Sequence, residues 1–238
     1  MFAADLKNRI ASLDWEGVEN DLLEAGHART PRLLTPDECT ALTALYADEA
    51  LFRSRIDMAR HRFGLGEYKY FAAPLPPLVQ ALREHAYARL APIANRLARA
   101  LGHRQRFPPS LGALLARCAR LGQTKPTPLI LRYETGGYNC LHQDLYGDLA
   151  FPLQIAIALS RRGVDYTGGD FLLVEQRPRA QSKGEAIAFE QGEGIVFPTR
   201  ERPVEGSRGF YRAGVRHGVS RLLSGERYTL GVIFHDAR

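Results

Sequence analysis

In the first half of the chain the apolar positions recur at helical spacing, and beyond Gly122 they fall into short runs and alternations typical of strands. The segment Thr35-Pro36-Asp37-Glu38 carries a helix start signal, with a hydroxyl N-cap, proline at the first helical position and glutamate three residues after the cap. It predicts a helix reaching about Leu51. Leu78, Leu82, Leu90, Ile93, Leu97 and Leu101 mark a long helix or a pair broken near Pro92, and Leu111 to Leu121 gives another. In the second half, eight strands are expected, at about Pro128–Tyr133, Asn139–Leu145, Leu153–Ser160, Asp170–Glu175, Ala186–Glu190, Gly194–Pro198, Val215–Ser220 and Arg227–His235.

This order predicts an α+β fold: a double-stranded β-helix (jelly roll) over 126–238, with a helical N-terminal region, 1–125, packed on it as a cover. The length of 238 residues suits one well-buried core. With 45% hydrophobic and 24% charged residues, the chain has the balance of an ordinary globular protein. No apolar run approaches a membrane span, and the N-terminus lacks the apolar stretch of a signal peptide, so a cytoplasmic location is expected. Cys39, Cys118 and Cys140 are too widely spaced for a zinc site and odd in number, which predicts free thiols. A formal charge of +6 and a pI near 9.4 admit an acidic partner without requiring one.

The candidate chemistry lies in the strand-rich half. In an extended strand His142 and Asp144, at i and i+2, present imidazole and carboxylate to the same side. His217, 75 positions further on, can complete the set. Two histidines and a carboxylate on one face of an octahedral metal leave positions open, a set suited to Fe(II) that must bind a co-substrate and O₂. After the turn at Ser224-Gly225-Glu226, alternation sets Arg227, Thr229, Gly231 and Ile233 on one strand face and Tyr228, Leu230, Val232 and Phe234 on the other. A guanidinium followed by small neighbours makes a slot for a carboxylate. Arg221 shares the parity of His217 and Val219 and is the second candidate for that role. Gln154 opens an apolar strand; it could touch the co-substrate, although a glutamine at a strand start is more often exposed. His235 and Asp236 follow the last strand and are expected at the surface. Residues 52–71 interleave basic and aromatic side chains as single-strand nucleic-acid surfaces do, and Ser207 to Arg212 form a candidate loop at a pocket mouth.

Tyr133, His142-x-Asp144, Gly168-Gly169-Asp170-Phe171, Gly192-Glu193-Gly194-Ile195-Val196-Phe197, His217-x-Val219 and Gly225-x-Arg227 together resemble the iron- and 2-oxoglutarate-dependent dioxygenases, in the branch of prolyl hydroxylases and AlkB-type demethylases. The whole chain is also similar to a bacterial oxygenase family described as acting on damaged, methylated DNA. The resemblance implies Fe(II) held by His142, Asp144 and His217, 2-oxoglutarate gripped by Arg227 and hydrogen-bonded by Tyr133, and O₂ as oxidant. It leaves two substrate classes open: alkylated bases of DNA or RNA, and a protein side chain or small molecule. A ligand-binding module without catalysis is the third alternative.

Overall fold

The computed structural model describes residues 2–238. Its helices are α1 (Phe2–Ala11), α2 (Trp15–Glu24), α3 (Pro36–Ala44), α4 (Met58–His61), α5 (Pro77–Ala100) and α6 (Leu111–Arg120). Four strands lie in the first half, β1 (Ala28–Thr30), β2 (Phe52–Asp57), β3 (Gly64–Leu65) and β4 (Glu67–Phe71). Ten follow: β5 (Leu129–Glu134), β6 (Tyr138–His142), β7 (Leu153–Ala158), β8 (Tyr166–Gly168), β9 (Phe171–Gln176), β10 (Lys183–Ile187), β11 (Gly194–Pro198), β12 (Glu201–Gly206), β13 (Gly209–Val219) and β14 (Leu222–Val232).

The strands form two antiparallel sheets. The larger has the order β1-β11-β7-β14-β5-β4-β2, with β8 added to β14; the smaller has the order β10-β9-β13-β6-β3, with β12 added to β13. One face of the larger sheet carries Leu230, Val232, Ile155 and Ile157 into a core shared with Leu82, Leu90 and Leu97 of α5 and Leu114 of α6. Its other face meets the smaller sheet through Ala156, Ala158, Ile195 and Phe197 against Phe171, Leu173 and Val215. Such two-sided burial explains why β7 and β11 are buried at every position and, Gln154 apart, carry no polar side chain.

The helix expected from Thr35 has its capping box, with Thr35 Oγ1 accepting from the Glu38 N–H and Glu38 Oε2 from the Thr35 N–H. It stops at Ala44 rather than Leu51, because two 3₁₀ turns follow, the second capped by the Asp48 side chain on the Ala50 N–H. In α5 there is no break at Pro92. Pro92 and Ala88 both face solvent, so water can reach the carbonyl that the missing N–H leaves free. The helical cover was an incomplete expectation: β2 and β4 extend the larger sheet at β5, and β3 lengthens the smaller one at β6. The segment 207–212 is the turn and start of a β12–β13 hairpin rather than a loop at the pocket mouth. Cys39, Cys118 and Cys140 are free thiols, the first two buried and the third exposed. Among the described residues no helix is long and apolar enough to cross a membrane.

Candidate active site

Between the sheets lies a cavity of about 370 Å³, and strand register determines which side chains meet there. His217 of β13 is the direct cross-strand partner of His142 of β6, so 75 positions of sequence collapse to neighbouring strands. β6 ends at His142, earlier than expected, and Asp144 lies just past the strand end. Gln143 between them points its amide the other way, donating to the carbonyls of Arg200 and Val215 and thereby pinning the segment to β13.

The resulting cluster is tight. Asp144 Oδ2 lies 3.1 Å from His217 Nε2, and Asp144 Oδ1 lies 3.5 Å from His142 Nε2. One ligand atom from each residue falls within 4.8 Å of the others, a spacing that one cation can bridge. The His142 ring is oriented by its Nδ1 on the Cys140 carbonyl at 2.8 Å, which leaves Nε2 for the cluster. Burial opposes the charge of Asp144, but the imidazoles of His217 and His142 outweigh it and hold the carboxyl well below the usual range. Burial also acts against a charged His142, yet its hydrogen bond to Asp144 wins and raises its pKa. At His217 burial dominates and lowers the pKa, leaving a neutral imidazole suited to a metal.

Across the cavity, β14 and the residues just after it present Arg227, Thr229, Gly231 and Ile233 to the pocket, as alternation predicts, while Leu230, Val232 and Phe234 join the helix-facing core. Arg227 pairs in register with Tyr133 of β5 and is 1% exposed. Its charge has no acidic partner among the described residues, and Nε and Nη1 find no acceptor within the protein. The rings of Tyr133, Tyr166 and Phe189 surround it at 5.7, 5.8 and 5.9 Å. Gly169, at φ +61°, packs beside it, where a Cβ would lie 2.5 Å from Leu222 Cδ1 and 3.2 Å from Arg227 Cδ. Tyr133 Oη, Gln154 Nε2, Thr229 Oγ1 and His217 Nδ1 are likewise buried without protein partners. Buried polar groups are normally satisfied, so this concentration around one cavity marks a place shaped for a polar, anionic ligand.

Three sequence expectations are corrected. Arg221 is exposed and outside the cavity lining, because β13 ends at Val219 and the parity that would turn it inward ends there too. Gln154, for which exposure was the commoner of two expectations, is 3% exposed and lines the pocket, since β7 is covered on both faces. His235 and Asp236, also expected outside, are buried. Asp236 takes a 2.7 Å bond from the buried Arg83 of α5, and His235 Nδ1 accepts the Phe151 N–H at 3.1 Å.

Sequence reasoning missed Tyr70 and Tyr146. Tyr146 Oη donates to Asp144 Oδ1 at 2.6 Å and is joined to Tyr70 Oη at 2.9 Å. The run His142-Gln143-Asp144-Leu145-Tyr146 contains the tyrosine, but no strand parity extends past His142 to show where it points.

Residues 66–237 match the model of the Oxygenase-NA family, described as "Oxygenase, catalysing oxidative methylation of damaged DNA". An uncharacterised protein of Mycobacterium tuberculosis is 53% identical over 167 residues, covering 70% of this chain and 72% of its own length. Among solved structures, a Pseudomonas putida prolyl-4-hydroxylase superposes with a TM-score of 0.55 at 16% identity, covering 94% of this chain and 99% of its own. A 2-oxoglutarate-Fe(II) oxygenase family oxidoreductase of Burkholderia pseudomallei gives 0.56 at 16% identity, covering 93% and 90%. The chain thus belongs to the Oxygenase-NA family and is an oxygenase carried on the fold of the 2-oxoglutarate-dependent Fe(II) oxygenases.

Proposed function

We propose that this chain is an Fe(II)- and 2-oxoglutarate-dependent dioxygenase in which His142, Asp144 and His217 hold the metal and Arg227 and Tyr133 bind the co-substrate, its sheets forming a double-stranded β-helix. The observation that carries this reading is the pairing, across one cavity, of a two-histidine, one-carboxylate cluster with a buried guanidinium that has no counter-charge among the described residues. When bound, Fe(II) and 2-oxoglutarate supply an O₂-derived oxidant able to break a C–H bond, with succinate and CO₂ as by-products.

The chain's own residues do the rest. Arg227 attracts a carboxylate through charge-assisted hydrogen bonds strengthened by the dry surroundings, and the hydroxyl of Tyr133, its direct cross-strand partner, adds a donor. The apolar walls, Leu129, Leu131 and Phe197 among them, exclude water.

For the substrate we favour an alkylated base of damaged nucleic acid, the class that the family description indicates. Residues 52–71 support it in part: Arg62 and Phe63 line the cavity, and Phe63 is 48% exposed with its ring stacked on His61. Other basic side chains of that segment are already engaged, Arg55 with Glu67 and Lys69 with Glu49. A hydroxylase of a protein side chain or small molecule is the second reading. It is favoured by the apolar residues Leu141 and Phe63 at the mouth, where Arg62 is the one exposed cation of the cavity lining.

The test is succinate formation with Fe(II) and 2-oxoglutarate, run with methylated single-stranded oligonucleotides, their unmethylated counterparts and proline-containing peptides. Stimulation by the methylated strand alone is expected. Stimulation by peptide instead selects the second reading, and no 2-oxoglutarate consumption under any condition refutes the co-substrate assignment.

A further inference from the structure

The carboxylate proposed as a metal ligand is not free to choose how it binds. Asp144 Oδ1 receives the Tyr146 hydroxyl at 2.6 Å and stands 3.5 Å from His142 Nε2, whereas Oδ2 lies toward His217 Nε2 at 3.1 Å and takes no hydroxyl among the described residues. Tyr146 is itself held: its hydroxyl meets that of Tyr70 at 2.9 Å, and its ring lies edge-on to Tyr70 at 6.0 Å and tilted over His235 at 6.0 Å. Tyr70 belongs to β4 and is 8% exposed, with the Arg53 guanidinium 4.5 Å from its ring centroid. A hydroxyl has one proton to give, so if Tyr146 spends its proton on Asp144, Tyr70 must donate to Tyr146. The chain of donors then runs in one direction, from β4 through Tyr146 to the carboxylate.

Resting on the ligand assignment above, we propose that Tyr146 is a positioning residue that occupies Asp144 Oδ1 and so restricts the aspartate to one metal-binding oxygen, Oδ2, with Tyr70 holding Tyr146 in place. A carboxylate with both oxygens free can bring both to a cation and use up a coordination position; one oxygen tied to a tyrosine leaves that position open. Hydrogen bonds behind metal ligands also preset their orientation, so the metal binds without first ordering the carboxylate. The first half of the chain, through a strand that hydrogen-bonds into the larger sheet, thereby contributes to a metal centre whose ligands all lie in the second half.

The experiment measures metal binding and not turnover. Co(II) is titrated into the metal-free full-length protein by calorimetry, and the visible absorption of the loaded protein is recorded. In Tyr146→Phe the ring is kept and only the hydroxyl is lost; the expected result is about 10- to 100-fold weaker Co(II) binding. The d–d absorption should change in shape as the released carboxylate alters the coordination. Tyr70→Phe, which leaves the Asp144 contact in place, should show a smaller loss in the same direction. Wild-type affinity and spectrum in Tyr146→Phe overturn the proposal. If that variant does not fold, Tyr70→Phe decides, and unchanged affinity and spectrum there overturn it. Failure of the underlying assignment has its own signature, a Co(II) affinity that His142→Ala leaves intact.

Discussion

Replacing Arg227 by methionine should raise the stability of the ligand-free protein while removing its response to 2-oxoglutarate. The guanidinium is 1% exposed, has no acidic partner among the described residues, and leaves Nε and Nη1 without protein acceptors. An uncompensated buried charge costs several kcal/mol even after relaxation, on the order of 3–5. Three aromatic rings stand at 5.7 to 5.9 Å, near the outer limit for cation–π attraction, and each returns about 0.5–1 kcal/mol at that range. The penalty is therefore larger than the compensation. Methionine retains an unbranched stem to pack beside Gly169 and Leu222 and carries no charge. A gain of about 1–3 kcal/mol is expected, roughly 3–10 °C in Tm for a chain of this size.

2-Oxoglutarate at about 100 times its Kd should add about 2.7 kcal/mol to the wild type and nothing to the variant, closing or reversing the gap. Thermal unfolding with Mn(II) in place of iron, with and without 2-oxoglutarate, reads both effects without turnover. A variant that is less stable than wild type in the absence of ligand, yet still gains stability from 2-oxoglutarate, would refute the reasoning. That outcome would place the carboxylate elsewhere and give the guanidinium a structural role.

Other outcomes follow from the same geometry. His142→Ala should abolish both metal binding and 2-oxoglutarate turnover, measured by calorimetry and succinate release; retained turnover excludes the cluster. Arg221→Ala should leave the 2-oxoglutarate Kd unchanged, because that side chain is exposed outside the cavity. Phe63→Ala should weaken binding of a methylated single strand about ten-fold if bases stack on it, with peptide binding as the control. Burial lowers the His235 pKa from 6.5 to about 4, so between those values the unfolded chain takes up a proton that the folded one refuses. Stability is accordingly full above pH 6.5 and falls toward pH 4 by about 3 kcal/mol from this group. His235→Asn, whose Oδ1 can accept the Phe151 N–H, should flatten the urea-unfolding profile across that window; an unchanged profile assigns the acid sensitivity to other groups.

Much of the site was legible because it is written in short-range patterns. The alternation from Arg227 to Ile233 is a property of local backbone geometry and holds in the folded chain, and His142 and Asp144 do meet in one cluster although β6 ends at His142. Parity reasoning failed where a strand ended sooner than expected. Arg221 lies beyond the end of β13, and nothing in its neighbours announces that Val219 is the last paired residue. Burial of Gln154, His235 and Asp236 was hidden for another reason: polarity suggests exposure, and only the partner that satisfies or awaits each group reverses it. The strands β1 to β4 escaped notice because such short segments carry little periodicity, and because β1, β3 and β4 join their sheets through β11, β6 and β5, far along the chain.

The sequence by itself determined the type of chemistry, through residue types whose donor atoms suit Fe(II) and a carboxylate, and the second-half strand rhythm that carries them. Tertiary structure decided the rest: the register that sets His217 against His142, the burial of Arg227 in the cavity and the exposure of Arg221 outside it, and the Tyr70–Tyr146–Asp144 hydrogen bonds. The division has a physical cause. Side-chain direction along a strand is a local consequence of backbone geometry, whereas register, strand termination and burial depend on the free energy of packing against segments far along the chain.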